Sequence, residues 1–188
     1  MRAPLLGVAS LGVALSLAGG GSAGDGRQAA SQRVELEKAR GFDDYALYNA
    51  GDRVEGFPLV AVLRRSDTAE FVSFVYGDCT PADDTGCAPP IEIQVWPACR
   101  RHLGLYAAPT GVSPALEQTT VRGVPAAFLD EGTRLELQAG RSTIVVFADS
   151  RSRVARIARA LRAVDGSVAV RQALPPPAPG ALEGSLPC

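Results

Sequence analysis

The stretch YGDCTPADDTGCAPP, residues 76–90, gathers two cysteines and three aspartates in one loop, the residue types of a metal site, a redox centre or a covalent staple. Zinc takes clustered Cys and His ligands such as paired C-x-x-C. Here Cys79 and Cys87 stand too far apart for that, and His102 is the only histidine in the chain. A redox C-x-x-C is absent. Asp78, Asp83 and Asp84 have the hard oxygens that calcium takes, without the alternating D-x-D-x-D-G spacing and closing Glu of a calcium loop. No metal and no cofactor is expected. The staple remains. Cys79, Cys87, Cys99 and Cys188 are the four cysteines, and an even count behind an export signal reads as two disulfides. Three connectivities are possible. Pro81 and Gly86 turn the chain back on itself, which favours Cys79–Cys87 locally and Cys99–Cys188 at long range.

Catalytic constellations are sparse. A hydrolase needs a nucleophile beside a base, and His102, which follows Arg100-Arg101, is the only histidine that could serve. The only stretch similar to G-x-S-x-G is Gly20-Gly21-Ser22-Ala23-Gly24, in the N-terminal leader. Asp43-Asp44 and Asp130-Glu131 are adjacent carboxylates; neighbours on a strand face opposite ways and do not form a glycosidase pair. No phosphate loop or dinucleotide fingerprint is present. Nineteen Lys and Arg against twenty Asp and Glu give a net charge of −1, with no electrostatic footprint for nucleic acid.

The elements that must position these residues are legible as short runs. FPLVAVL (57–63) and EFVSFVY (70–76) read as a β-hairpin, and IEIQVW (91–96) alternates as a half-buried strand before Pro97. Residues 119–121, 124–129, 134–138 and 143–147 form a meander punctuated by Arg122-Gly123, Asp130-Glu131-Gly132 and Gly140-Arg141. In RLELQ (134–138) the leucines share one face and the polar residues the other. Ile144 to Phe147 is apolar on both faces, which predicts a central strand. A helix over Ser152 to Val164 presents Val154, Ile157, Ala158, Leu161 and Val164 on one side. Arg153, Arg156, Arg159 and Arg162 take its other faces, either as a basic patch or as a solvated surface; the acidic balance favours the second. The fold expected is α+β: one antiparallel sheet of about six to seven strands with a C-terminal helix packed on one face and disulfide-stapled loops.

At 188 residues with 46% apolar composition the chain supports one core. Its parts read as a signal peptide (1–23), a leader with a short helix (24–41), a single α+β domain (42–172) and a Pro-rich tail (173–188) tied down by Cys188. Arg2, the apolar run Leu5 to Ala18 and the small residues before Gly24 form the three-part secretory pattern, and the run is too short for a permanent membrane span. Leu17-Ala18-Gly19-Gly20 resembles the bacterial lipobox with Gly20 in place of its cysteine, so a released, unlipidated chain is expected. Arg2 is the only charge removed with the signal, which leaves the exported chain slightly more acidic.

The order V-x-G, apolar strand, L-x-L strand, TIVVF strand and alanine-rich helix, over 117–164, resembles the sheet-and-helix unit of small bacterial exported lipoproteins and anti-sigma-associated extracytoplasmic domains. The YGDC…GCAPP and WPAC segments, over 57–99, are similar to those of uncharacterised exported proteins of GC-rich Gram-positive bacteria. Neither resemblance supplies catalytic residues. The function expected is a non-catalytic extracytoplasmic binding or interaction module, partnered by an envelope component, a small apolar ligand or a protein; the alternative is a small secreted hydrolase with an unrecognised carboxylate site. Tyr76, Trp96 and Tyr106 are the candidate contact residues, since large amphipathic rings on stapled loops make good anchors. Trp96 could equally be core.

Overall fold

Two-residue connections set the topology. In the computed structural model, which describes residues 35–65, 70–79, 87–104 and 117–188, Val121 pairs with Val124 across Arg122-Gly123, and Val54 pairs with Phe57 across Glu55-Gly56. In both loops the two central residues have positive φ, 50° and 89° in the first and 50° and 88° in the second. That is the pattern of the turn whose twist matches antiparallel strands. A Cβ on Gly56 or Gly123 would meet nothing within 4 Å, so the backbone angle, and not crowding, calls for glycine there.

Ten strands result. Eight form one antiparallel sheet in the order β2 (Arg53–Val54), β3 (Phe57–Arg65), β4 (Phe71–Tyr76), β5 (Ile91–Pro97), β9 (Ser142–Ala148), β8 (Arg134–Ala139), β7 (Val124–Leu129), β6 (Glu117–Val121). The strand expected to be central, β9, lies between β5 and β8. A second sheet pairs β1 (Tyr48–Asn49) with β10 (Arg162–Ala163). The α+β class holds, and the corrections are an eighth strand in the main sheet and this small additional one. Two-residue strands are too short to carry an alternation.

One face of the sheet carries Phe74 and Tyr76, Ile91, Ile93 and Val95, Ile144 and Val146, and Leu135 and Leu137, all in one buried cluster. The helix α1 (Arg151–Ala160) closes this cluster through Val154, Ile157, Ala158 and the following Leu161, each fully buried. The helix stops four residues before the expected end at Val164. Leu161 turns extended (ψ 143°), and residues 162–163 find their backbone partners in β1 instead of in the helix. Arg122 donates to the carbonyl of Leu161, one of the unpaired acceptors of the helix end, and to Ala169 O at 2.8 Å. Replacing Ile157 with Asp should destabilise the fold by more than about 3 kcal/mol, because a carboxylate is placed where nothing pairs with it. An unchanged melting temperature for that variant would mean that the helix is undocked.

Three of the helix arginines, Arg151, Arg153 and Arg156, pair with acids. Arg156 holds Glu55 bidentately at 3.0 and 2.7 Å, and Arg153 reaches Asp149 at 2.5 Å. The Arg156 hydrogen bond holds the Glu55 carboxyl below its ordinary range. Arg162 lies 3.7 Å from Asp52. Most of this cationic surface is thus paired with acids; the exposed Arg159 makes no ion pair among the described residues.

Both disulfides form as expected, Cys79–Cys87 and Cys99–Cys188. The second ties down the proline-rich tail, which straps one rim of the sheet. Leu174 N donates to Arg122 O (3.0 Å), Ala178 N to Gly140 O (2.9 Å), and Gln138 Nε2 to Ala181 O (2.6 Å). Gly104 N donates to Leu182 O at 3.1 Å. A Cβ on Gly184 would run into the His102 imidazole, so the close passage of the tail past the lone histidine depends on that glycine. Among the described residues no helix is long and apolar enough to cross a membrane. The signal-peptide, cleavage-site and lipobox expectations, Tyr106, and Asp83 and Asp84 of the stapled loop lie outside the described residues.

Candidate functional site

Tyr76 and Trp96, the two candidate rings among the described residues, do not form one surface. Tyr76 is fully buried on the helix-covered face, where its hydroxyl accepts from Ala50 N at 2.9 Å, and burial pushes its phenol far above the ordinary range. Its ring belongs to the core. Trp96 projects from the opposite face of β5, half-buried. Phe71 stacks on it at 4.2 Å and 15°, and the Arg101 guanidinium lies 5.1 Å from its ring. Phe71 starts β4 on one side of β5, while Arg101 is anchored to Glu136 of β8 on the other. The indole is therefore held from both sides. β5 spans seven residues, roughly 20 Å at about 3.4 Å per residue, with the Cys79–Cys87 staple before its start and Trp96 at its end.

A polar ladder runs along that second face. Ser73 Oγ donates to Glu92 Oε1 (2.5 Å), Gln94 Nε2 donates to the same oxygen (3.0 Å), and Trp96 Nε1 donates to Gln94 Oε1 (3.1 Å). Two strands away, Glu136 is fully buried and takes Arg101 Nε at 3.0 Å, with Arg134 Nε at 3.3 Å. The Ser73, Gln94 and Trp96 donors are satisfied within the ladder, as a buried network requires, and Arg134 meets Glu136 as an ion pair. The ladder is scaffold. Replacing Trp96 with Ala should cost about 3 kcal/mol through lost packing, read by chemical denaturation; a loss below about 1 kcal/mol would mean that the indole is not packed.

The site with unspent chemistry lies on the core-side rim where β4 begins, β5 ends and β9 begins. A cleft of about 320 Å³ opens there, a size at the lower end for small-molecule sites. Tyr45, Pro97 and Leu186 provide its apolar lining, and the Cys99–Cys188 disulfide forms part of its wall. Asp44 and Glu70 bring carboxylates; Arg100 and Arg141 bring guanidiniums. Tyr45 is fixed by its hydroxyl, which lies 3.2 Å from Glu70 O and 3.3 Å from Val95 O, and by an edge-on contact with Phe42 at 4.8 Å. Asp44 has a loose partner in Arg64 at 3.8 Å, and Arg141 donates to Pro187 O at 3.1 Å. Neither the Glu70 carboxylate nor the Arg100 guanidinium makes an ion pair among the described residues. In the cavity of about 280 Å³ near Asp52 and Arg162 those two charges lie 3.7 Å apart, with Arg40 also on the lining.

Burial pushes the Tyr45 phenol far above its ordinary range, opposed by Arg64 and reinforced by Glu70 and Asp44, so it stays a protonated donor and does not serve as a base. The cysteine sulfurs are bonded to each other, and among the described residues the cavity lining holds no Ser, Thr or His.

Neither Tyr76 nor Trp96 lines this cleft. Of its residues the sequence signals only the pairing of Cys99 with Cys188; Asp44 reads there as one of two adjacent carboxylates without a paired role, and Tyr45, Glu70, Arg100, Arg141 and Leu186 carry no signal. The available signal was the long-range disulfide, which required the tail to reach the end of β5. Compared with known proteins, the chain matches no family model, no curated sequence and no solved structure.

Proposed function

We propose that this protein is an exported, non-catalytic binding module that acts outside the cytoplasm, and that its ligand sits in the cleft between Tyr45, Pro97, Leu186 and the Cys99–Cys188 disulfide. The observation that carries the reading is the convergence of charged groups of both signs on an apolar lining, where neither Glu70 nor Arg100 makes an ion pair among the described residues. Two disulfides are consistent with an extracytoplasmic location, and the three-part secretory pattern at 1–23 supports export. Gly20, at the position of the lipobox cysteine, supports a chain without a lipid anchor. The ligand is drawn from the envelope or the surrounding medium.

The test exposes purified protein to envelope fractions of its own host. The expected result is saturable retention of a component that is released unchanged. Steady accumulation of cleaved fragments, lost in Asp44→Asn or Glu70→Gln, would replace the binding module with a secreted hydrolase.

A further inference from the structure

The charges of the cleft are segregated. Glu70 immediately precedes β4, and Asp44 faces Arg64 of β3, so the carboxylates stand on the β3–β4 side. Arg141 occupies the turn that opens β9, and Arg100 follows the end of β5. Pro97, the last residue of β5, lies between the two groups. The sheet order β4-β5-β9 separates the backbones of the outer strands by about 10 Å, two strand spacings.

An anion would gain from Arg100 and Arg141 while facing Glu70 and Asp44; a cation would meet the reverse. A neutral ligand would desolvate both sets without pairing either. Only a ligand with a positive end and a negative end, set apart, suits both walls. A free amino acid carries its ammonium and carboxylate on one carbon, too close together to reach both. Each further residue adds about 3.5 Å of extended chain. The apolar lining of Tyr45, Pro97 and Leu186 accepts short side chains between the charged ends. Arg141 spends one donor on Pro187 O and keeps others of its five for a carboxylate.

Resting on the reading of the cleft as a ligand site, we infer that it takes a short zwitterionic peptide of two or three residues, its ammonium toward Glu70 and Asp44 and its carboxylate toward Arg100 and Arg141. Such capture of both peptide ends uses charge-assisted hydrogen bonds and needs no chemistry on the ligand.

The experiment is calorimetric titration of the oxidised full chain with alanyl-alanine and tri-alanine. Both the L and the D forms are titrated, beside their N-acetylated and C-amidated versions and free alanine. Uncapped peptides should bind saturably, and either cap should weaken binding about tenfold or more. Arg100→Gln should weaken the free-carboxylate peptides about tenfold while leaving the amidated ones unchanged, and Glu70→Gln should act in the same way on the ammonium end. Both side chains are exposed, so melting curves of these variants should match wild type. Preference for the L or the D form distinguishes a translated source from a wall-derived one. Capped peptides binding as well as uncapped ones, or no saturable peptide binding at all, would overturn the inference. If peptides fail while a co-purifying ligand is still lost when Leu186→Trp fills the cleft, the peptide assignment falls and the binding site stands. If both fail, the site falls with it.

Discussion

Replacing Cys99 and Cys188 together with serine should lower stability by about 4.6 kcal/mol, the chain-entropy value for a bridge of 89-residue separation. For a chain of this size each kcal/mol moves the melting temperature by about 2–4 °C, so a fall of roughly 10–18 °C is expected. The same change removes part of the cleft wall and frees the strap from Leu174 to Cys188. Its hydrogen bonds to Gly140, Gln138 and Gly104 then have to hold it alone, and limited proteolysis should cut there first. The equivalent double variant at Cys79 and Cys87 opens a far shorter loop and should cost only about 2.5 kcal/mol. Equal losses for the two variants, or a loss below about 1 kcal/mol for the long bridge, would contradict the view that the tail is a structural strap.

Replacing Glu136 with Ala is the second large effect. Its carboxylate is fully buried and shared by Arg101 and Arg134, each with a fifth of its side chain exposed. Removing one partner of a buried pair typically costs about 3–5 kcal/mol. The partial exposure of the arginines places the expected loss near the lower end, about 3 kcal/mol. Glu136→Gln keeps the shape and two acceptor lone pairs and should lose less. Because Arg101 also contacts the Trp96 ring, indole fluorescence should shift in the folded Ala variant. A melting curve identical to wild type would mean that the ladder contributes nothing to the fold.

Glu136 also marks where the sequence stops being legible. The alternation in Arg134 to Gln138 assigns the leucines and the polar residues to opposite faces, as the sheet has them. It implies that the polar face is solvated, yet Glu136 and Gln138 are both fully buried. What fills their environment comes from distant sequence: Arg101, which pairs with Glu136, and Leu103 and Ala181, whose backbones bond the Gln138 amide. The seven longer strands and the turns at Arg122-Gly123 and Gly140-Arg141 are local features, set by alternation and turn residues, and they could be read. The early helix end could not, because β1 competes for the backbone of residues 162–163 from more than a hundred positions away. The cleft was least legible of all. Asp44, Glu70, Arg100, Arg141 and Leu186 share no spacing, and only the pairing of Cys99 with Cys188 connects them.

The claim that this is a binding module with its ligand in the rim cleft is tested most directly by native mass spectrometry. Oxidised protein purified gently from its own host is compared with the Leu186→Trp variant, in which an indole fills the cavity. The account predicts an additional small mass on wild type that is displaced on denaturation and absent from the variant. A wild-type spectrum without any bound mass, or the same mass retained on the variant, would contradict it.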